Sequence, residues 1–116
     1  MSEKTRYIYI ASMDVQPDKE DIFNEVYDTE HVPAMLSVPG VVAATRYKVE
    51  PHEVTIGDQS KTIPDPSEPH YHAVYEFDDS AVMDSKEWAE ATEAGRWPSE
   101  VRPYTHNRRH VLLKKN

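Results

Sequence analysis

Apolar and polar positions change period several times along the chain. From Arg6 to Val15, Tyr7, Tyr9 and Ala11 alternate with Ile8, Ile10 and Ser12, and both sets are largely apolar or aromatic. That pattern predicts a strand buried on both faces. After Gln16-Pro17-Asp18 the period lengthens, and Ile22, Phe23, Val26 and Tyr27 fall on one helical stripe. Proline is tolerated in a first turn, and Asp18, Glu20 and Asp21 suit the positive end of a helix. Pro33 disfavours helical geometry at Val32, so the helix is expected to break there. A short second turn through Ala34, Met35 and Leu36 precedes Pro39-Gly40, and alternation resumes from Val41 to Val49.

Pro51 to Pro69 holds four of the nine prolines and few large apolar residues, which predicts a long excursion from the fold, an insertion or flap. Order returns with a third strand from His70 to Phe77. Asp79-Ser80 can cap the next helix, and Asp84 with Glu87 has capping-box spacing for its continuation. Val82, Met83, Trp88, Ala89 and Thr92 make its predicted buried side, Gly95 its terminator. Trp97-Pro98-Ser99-Glu100 turns the chain into a last strand, about Tyr104 to Leu113.

The element order is therefore β-α-β, a loop, then β-α-β. Two such units in about a hundred residues predict a ferredoxin-like plait of class α+β: four antiparallel strands with both helices on one face. One domain over residues 1–116, with 51–69 as a loop insertion, fits a chain of 116 residues. The uncovered sheet face needs a partner, and a second copy of the same sheet is the simplest one. A hydrophobic content of 38% is low for a self-sufficient globule and points the same way, to a homodimer.

Charge narrows the partners. Acids outnumber bases 21 to 13, and the net charge is −8. Nucleic acid, which needs concentrated basic surface, is excluded as a partner, and anionic membrane is disfavoured. There is no cysteine, hence no disulfide or thiolate metal site. The N-terminal residues lack a signal-peptide pattern, no run is apolar enough to cross a bilayer, and a cytoplasmic protein is expected.

The richest chemistry lies at the end of the first helix, in Tyr27-Asp28-Thr29-Glu30-His31-Val32-Pro33. Helical residues three and four apart are neighbours, so Asp28 and Tyr27 are both placed beside His31. An imidazole titrates near neutrality, and a neighbouring carboxylate orients it and raises its basicity. His31 is thus the candidate general acid or base, against a structural role as a helix cap, with Asp28 as its orienter. Arg46 is suited to hold a carboxylate or enolate through its planar fork; its alternative is an ion pair with Glu76 or Asp28. Tyr27, Tyr47, Tyr75, Met35 and Trp88 are the candidate substrate-binding wall, each also a candidate for ordinary packing. Trp97 is a further aromatic candidate, weighed against core packing. His70, His72, His106 and His110 form an alternative: if they share a strand face, they supply imidazoles to zinc or iron.

Tyr27-Asp28-x-x-His31-Val32-Pro33, Met35-Leu36-x-Val38-Pro39-Gly40 and Arg46-Tyr47 together resemble small proteins of the dimeric α+β barrel superfamily, and the EthD-like group in particular. Ala73-Val74-Tyr75-Glu76-Phe77-Asp78 resembles the third strand of those proteins. The likeness spans most of residues 6–50 and 70–80, and the long 51–69 excursion departs from it. The resemblance implies two sheets packed face to face across a dimer axis, with a cavity between each sheet and its helices. It implies a small-molecule enzyme of catabolic or secondary metabolism, of isomerase, dehydratase, lyase or cofactor-independent oxygenase type, acting on a small aromatic or carbonyl substrate. No cofactor and no metal is expected on that reading. The alternatives are a non-catalytic small-ligand binding protein and a metal-dependent enzyme built on the strand histidines.

Overall fold

In the computed structural model, which describes residues 4–116, one four-stranded antiparallel sheet carries the fold. Its strands are β1 (Tyr7–Val15), β2 (Val41–Lys48), β5 (Tyr71–Phe77) and β6 (Thr105–Lys114), in the order β2-β5-β1-β6. This is the ferredoxin-like order the element sequence predicts. Helices α1 (Glu20–Val26), α2 (Val32–Leu36) and α3 (Lys86–Thr92) cover one face.

Register decides which residues meet them. Tyr9 lies opposite Tyr75 and Ala11 opposite Ala73, and opposite residues of an antiparallel pair share a face. Tyr9, Ala11 and Met13 with Tyr71, Ala73, Tyr75 and Phe77 therefore form the inner surface. Phe23, Val26, Met35, Trp97 and Val101 pack down on it, each nearly or wholly buried. Each fully buried side chain of this size contributes about 1.5–3 kcal/mol.

The opposite face is also apolar. Ile10 lies between Val74 and Val111, and Ile8 opposite Leu113, with no element of the chain over them. β1 is thus two-sidedly apolar as its pattern predicts, but within one chain only its inner side is covered.

Four local expectations change. Val32 keeps helical angles (φ −59°, ψ −46°), because the chain widens into a π turn over Tyr27–His31 instead of breaking. The Val32 N–H reaches back to the Tyr27 carbonyl, and the widened turn accommodates a proline that has no N–H of its own. The cap of α3 is Ser85, whose hydroxyl accepts from the Trp88 N–H at 3.1 Å; Asp79 caps the preceding 3-10 turn instead. Ala91, three residues beyond buried Trp88, is buried in place of Ala89, which is exposed.

The 51–69 excursion, finally, is no structureless loop. It contains a hairpin of β3 (His52–Ile56) and β4 (Gln59–Ile63). Gly57, at φ +64°, opens its two-residue turn as a type II′ connection requires. The hairpin is almost wholly exposed, and the radius of gyration, 15.6 Å, exceeds the roughly 13–14 Å of a compact chain this long. It projects as an arm. Among the described residues no helix is long and apolar enough to cross a membrane.

Candidate functional site

Two π turns, distant in sequence, face each other over the inner surface. Tyr27–His31 is the first; Trp97–Val101, with Pro98 in its opening turn, is the second. Each begins on an aromatic ring, and the rings meet: Tyr27 and Trp97 lie edge to face with centroids 4.8 Å apart. π turns inside helical segments are rare and concentrate at functional sites. Glu30 of the first turn ties down the second, accepting from the Arg96 backbone N–H at 2.9 Å and from Nε at 2.6 Å. Arg96 in return holds the Glu30 carboxyl below the usual carboxylate range. Gly95 makes this possible, since a Cβ there would collide with the Glu30 carboxylate and its φ is +65°.

His31 sits at the junction, only 6% exposed. Its ring stacks on Trp97 with centroids 4.5 Å apart and meets Tyr27 edge-on at 5.1 Å. Nδ1 is buried without a hydrogen-bond partner. Burial, then the positive charges of Arg102 and Arg108, lower its pKa to about 4, so the ring is neutral at pH 7.

Beneath it lies a cavity of about 120 Å³. Its walls are rings and thioethers: Tyr9, Tyr27, Tyr75, Trp88, Trp97, Met13 and Met35. Tyr9 stacks on Tyr75 and meets Trp88 edge to face, both at 5.8 Å. Burial raises the pKa of Tyr27 and, further, of Tyr75, so both phenols stay protonated as donors, and their hydroxyls interact with each other. Polar groups gather on the β6 side, at Arg102, Arg108 and His110. The His110 Nδ1 is 2.6 Å from the Tyr9 hydroxyl.

The structure thus brings His31, Tyr27, Tyr75, Met35 and Trp88 around one void, and leaves three candidates outside it. Asp28 does not orient His31. It faces outward and accepts from Arg46 Nη1 at 2.8 Å. Arg46 is held on several sides: Nη2 donates to Asn24 at 2.8 Å, and its guanidinium carbon lies 4.4 Å from the Tyr27 ring centroid and 5.2 Å from that of Phe23. It clamps α1 to β2 from outside the cavity, the ion-pair alternative with Asp28. Tyr47 lies on the outward face opposite His72 and is 56% exposed.

The helix spacing rule failed for Asp28 because a π turn advances more residues per revolution than the α-helix assumed. Arg102, Arg108, His110 and Tyr9 were not singled out for this cavity. Strict alternation from Tyr9 would have placed His110 on the inner face, but nothing marked β6 as its rim.

Nor do the strand histidines converge. His72 bonds Ser12 at 2.6 Å on the outer face, and His70 pairs with Asp14 at 2.5 Å. A bulge in β6 sets two residues against Met13 between the Ser12–Arg109 and Asp14–His106 pairs, with Asn107 left-handed at φ 50°. It turns His106 away from the face of His110. Among the described residues no three metal-ligating side chains lie together.

Known structures share this architecture at low identity. An EthD family protein from Bacillus halodurans superposes with a TM-score of 0.58 at 12% identity, covering 95% of this chain and 99% of its own. The haem-degrader MhuD from Mycobacterium tuberculosis, with two haems bound in its active site, gives 0.59 at 12%, covering 94% of each. A monooxygenase from Streptomyces coelicolor in complex with nanaomycin D gives 0.57 at 11%, covering 99% of this chain and 91% of the other. No protein-family model matches the chain, and no curated protein sequence matches it. What these identities establish is the fold. The chain shares the ferredoxin-like fold of these proteins.

Proposed function

We propose that the protein is a small-molecule enzyme that takes an aromatic or carbonyl ligand into the cavity under His31 and exchanges a proton with it. The observation carrying this is the unpartnered Nδ1 of a buried histidine on the wall of a ring-lined void. A buried polar atom without a partner costs about 1–3 kcal/mol, a cost that nothing else in the chain's packing around His31 offsets with a hydrogen bond. Around that atom the chain places what proton abstraction needs. The neutral imidazole is the base, and the protonated phenols of Tyr27 and Tyr75 are donors for charge developing on an oxygen. Isomerisation, dehydration, lyase chemistry and the substrate deprotonation that precedes oxygenation share this step.

Void size bounds the guest. A cavity of about 150 Å³ accommodates benzene, and this one is slightly smaller. A single ring fits. A tetrapyrrole such as the haem of MhuD does not, and no step is routed through one.

The outer sheet face supports the homodimer that the fold resemblance implies. Ile8, Ile10, Val74, Val111 and Leu113 form a continuous apolar surface, and Val111 and Leu113 are 44% and 47% exposed. A second copy of the sheet would bury it.

Hydrogen exchange tests the reaction. With phenylpyruvate in D₂O, wild-type protein is expected to speed exchange at the enolisable carbon about 100-fold or more, within the range of general-base catalysis. His31→Gln should abolish the acceleration while keeping affinity within a few-fold. Binding without acceleration in the wild type would make the protein a carrier.

A further inference from the structure

Resting on the cavity reading above, we infer that the ligand is an anion, a single-ring aromatic acid whose carboxylate sits at the mouth against the Arg108 guanidinium. Three observations on the chain converge on this.

Local charge opposes global charge. The protein carries −8 overall, yet both arginines lining the void are cationic and Glu93 is the acid beside them. That acid is committed. Glu93 accepts two bonds from Arg102 Nη1, at 3.1 and 2.9 Å, and Arg102 Nη2 is tied to the Thr92 carbonyl at 2.8 Å. One unit of positive charge is left over, on Arg108, which has no hydrogen bond or ion pair among the described residues. Its neighbour Arg109, on the outer face, is paired with Glu68 at 3.0 Å. In an acid-rich chain an unmatched guanidinium at a cavity mouth raises the local concentration of anions.

Position fixes which end of the ligand is charged. The deep wall, Met13, Met35, Trp88 and Trp97, offers nothing to solvate a carboxylate, and burying an unpaired charge there is costly. Arg108 lies on exposed β6, where a carboxylate keeps contact with water and meets a planar fork able to hold both its oxygens. A ring fills the void; the acid stays at the rim.

The same placement couples recognition to chemistry. Arg108 is among the charges that hold His31 in its neutral, weakly basic state. A carboxylate seated on Arg108 offsets that one charge, while the burial that lowers the His31 pKa most stays in place.

The test pairs a charged and a neutral probe of the same shape. Benzoate and benzamide are titrated into wild-type protein, R108Q and R109Q, following tryptophan fluorescence and the His31 ring signals. Wild type is expected to prefer benzoate at least tenfold, R108Q to lose that preference while still binding benzamide, and R109Q to keep it. Equal affinities in the wild type, or a preference surviving in R108Q, would overturn the anion assignment and leave the cavity intact. If neither probe perturbs Trp97, Trp88 or His31, the ligand cavity itself is refuted, and this inference with it.

Discussion

The two sides of the first π turn differ in one respect that orders the whole molecule. On its outer side, Arg46 donates to both Asp28 and Asn24, and its face lies on aromatic rings. On its inner side, His31 has a buried nitrogen with no partner and a void below it. Both regions unite an aromatic, a charged group and a helix end. The outer set is bonded within the chain, and the unpartnered nitrogen on the inner side is what the proposed function builds on.

That contrast breaks first at Trp97. Its side chain is 3% exposed and carries the ring contacts to both His31 and Tyr27. Trp97→Ala is expected to cost about 3–5 kcal/mol in urea unfolding and to open the cavity by removing one of its walls. A loss below 1 kcal/mol would mean that the two π turns hold together without it.

Acid provides the next test. The His31 pKa is near 4 folded, against an unperturbed value of about 6.5 in the unfolded chain. Above pH 6.5 neither state is protonated and the group contributes nothing. As pH falls below 6.5 the unfolded chain takes up a proton the folded one refuses, so stability declines until about pH 4, by about 3 kcal/mol in total. In His31→Phe this component of the acid limb should vanish. Identical stability–pH curves for the two proteins between pH 4 and 6.5 would contradict the buried, neutral ring.

Arg46→Ala probes the outer side. Loss of two charge-assisted hydrogen bonds and the ring contacts should destabilise by about 2 kcal/mol, yet benzoate affinity should change less than threefold. A large loss of affinity with unchanged stability would return Arg46 to the site. Gly95→Ala, strained by its left-handed angle and pressed against Glu30, should cost about 1 kcal/mol. Loosening the Glu30–Arg96 tie in this way should also broaden the Trp97 signals.

Much of this was legible in the chain. Alternation in Tyr7–Val15 and Tyr71–Phe77 located the central strands to within a residue, because period two survives any tertiary context that keeps one face buried. That His31, Tyr27, Tyr75, Met35 and Trp88 belong together was legible too, and they line one cavity. Asp28 was placed beside His31 by ideal helix spacing, and the proline that was read as a stop instead widened the turn; Arg46, read on a strand, took the alternative of an ion pair with Asp28. Arg108, which with Arg109 reads as an edge-strand or interface pair, was not placed at the cavity, since its position there depends on the β6 bulge. Tyr47 lay on the wrong face, where strand parity counted from Arg46 could have put it. The 51–69 arm folded as a hairpin where its prolines suggested only a loop; the strands sit between Pro51 and Pro64, clear of both.

The most direct measurement is the NMR titration of the His31 ring nitrogens, with and without benzoate. The account predicts a neutral ring down to about pH 4 in the free protein, and ring signals that shift once benzoate is bound. A ring that titrates near 6.5 and ignores benzoate would contradict it, since such a histidine faces water and has no guest to serve.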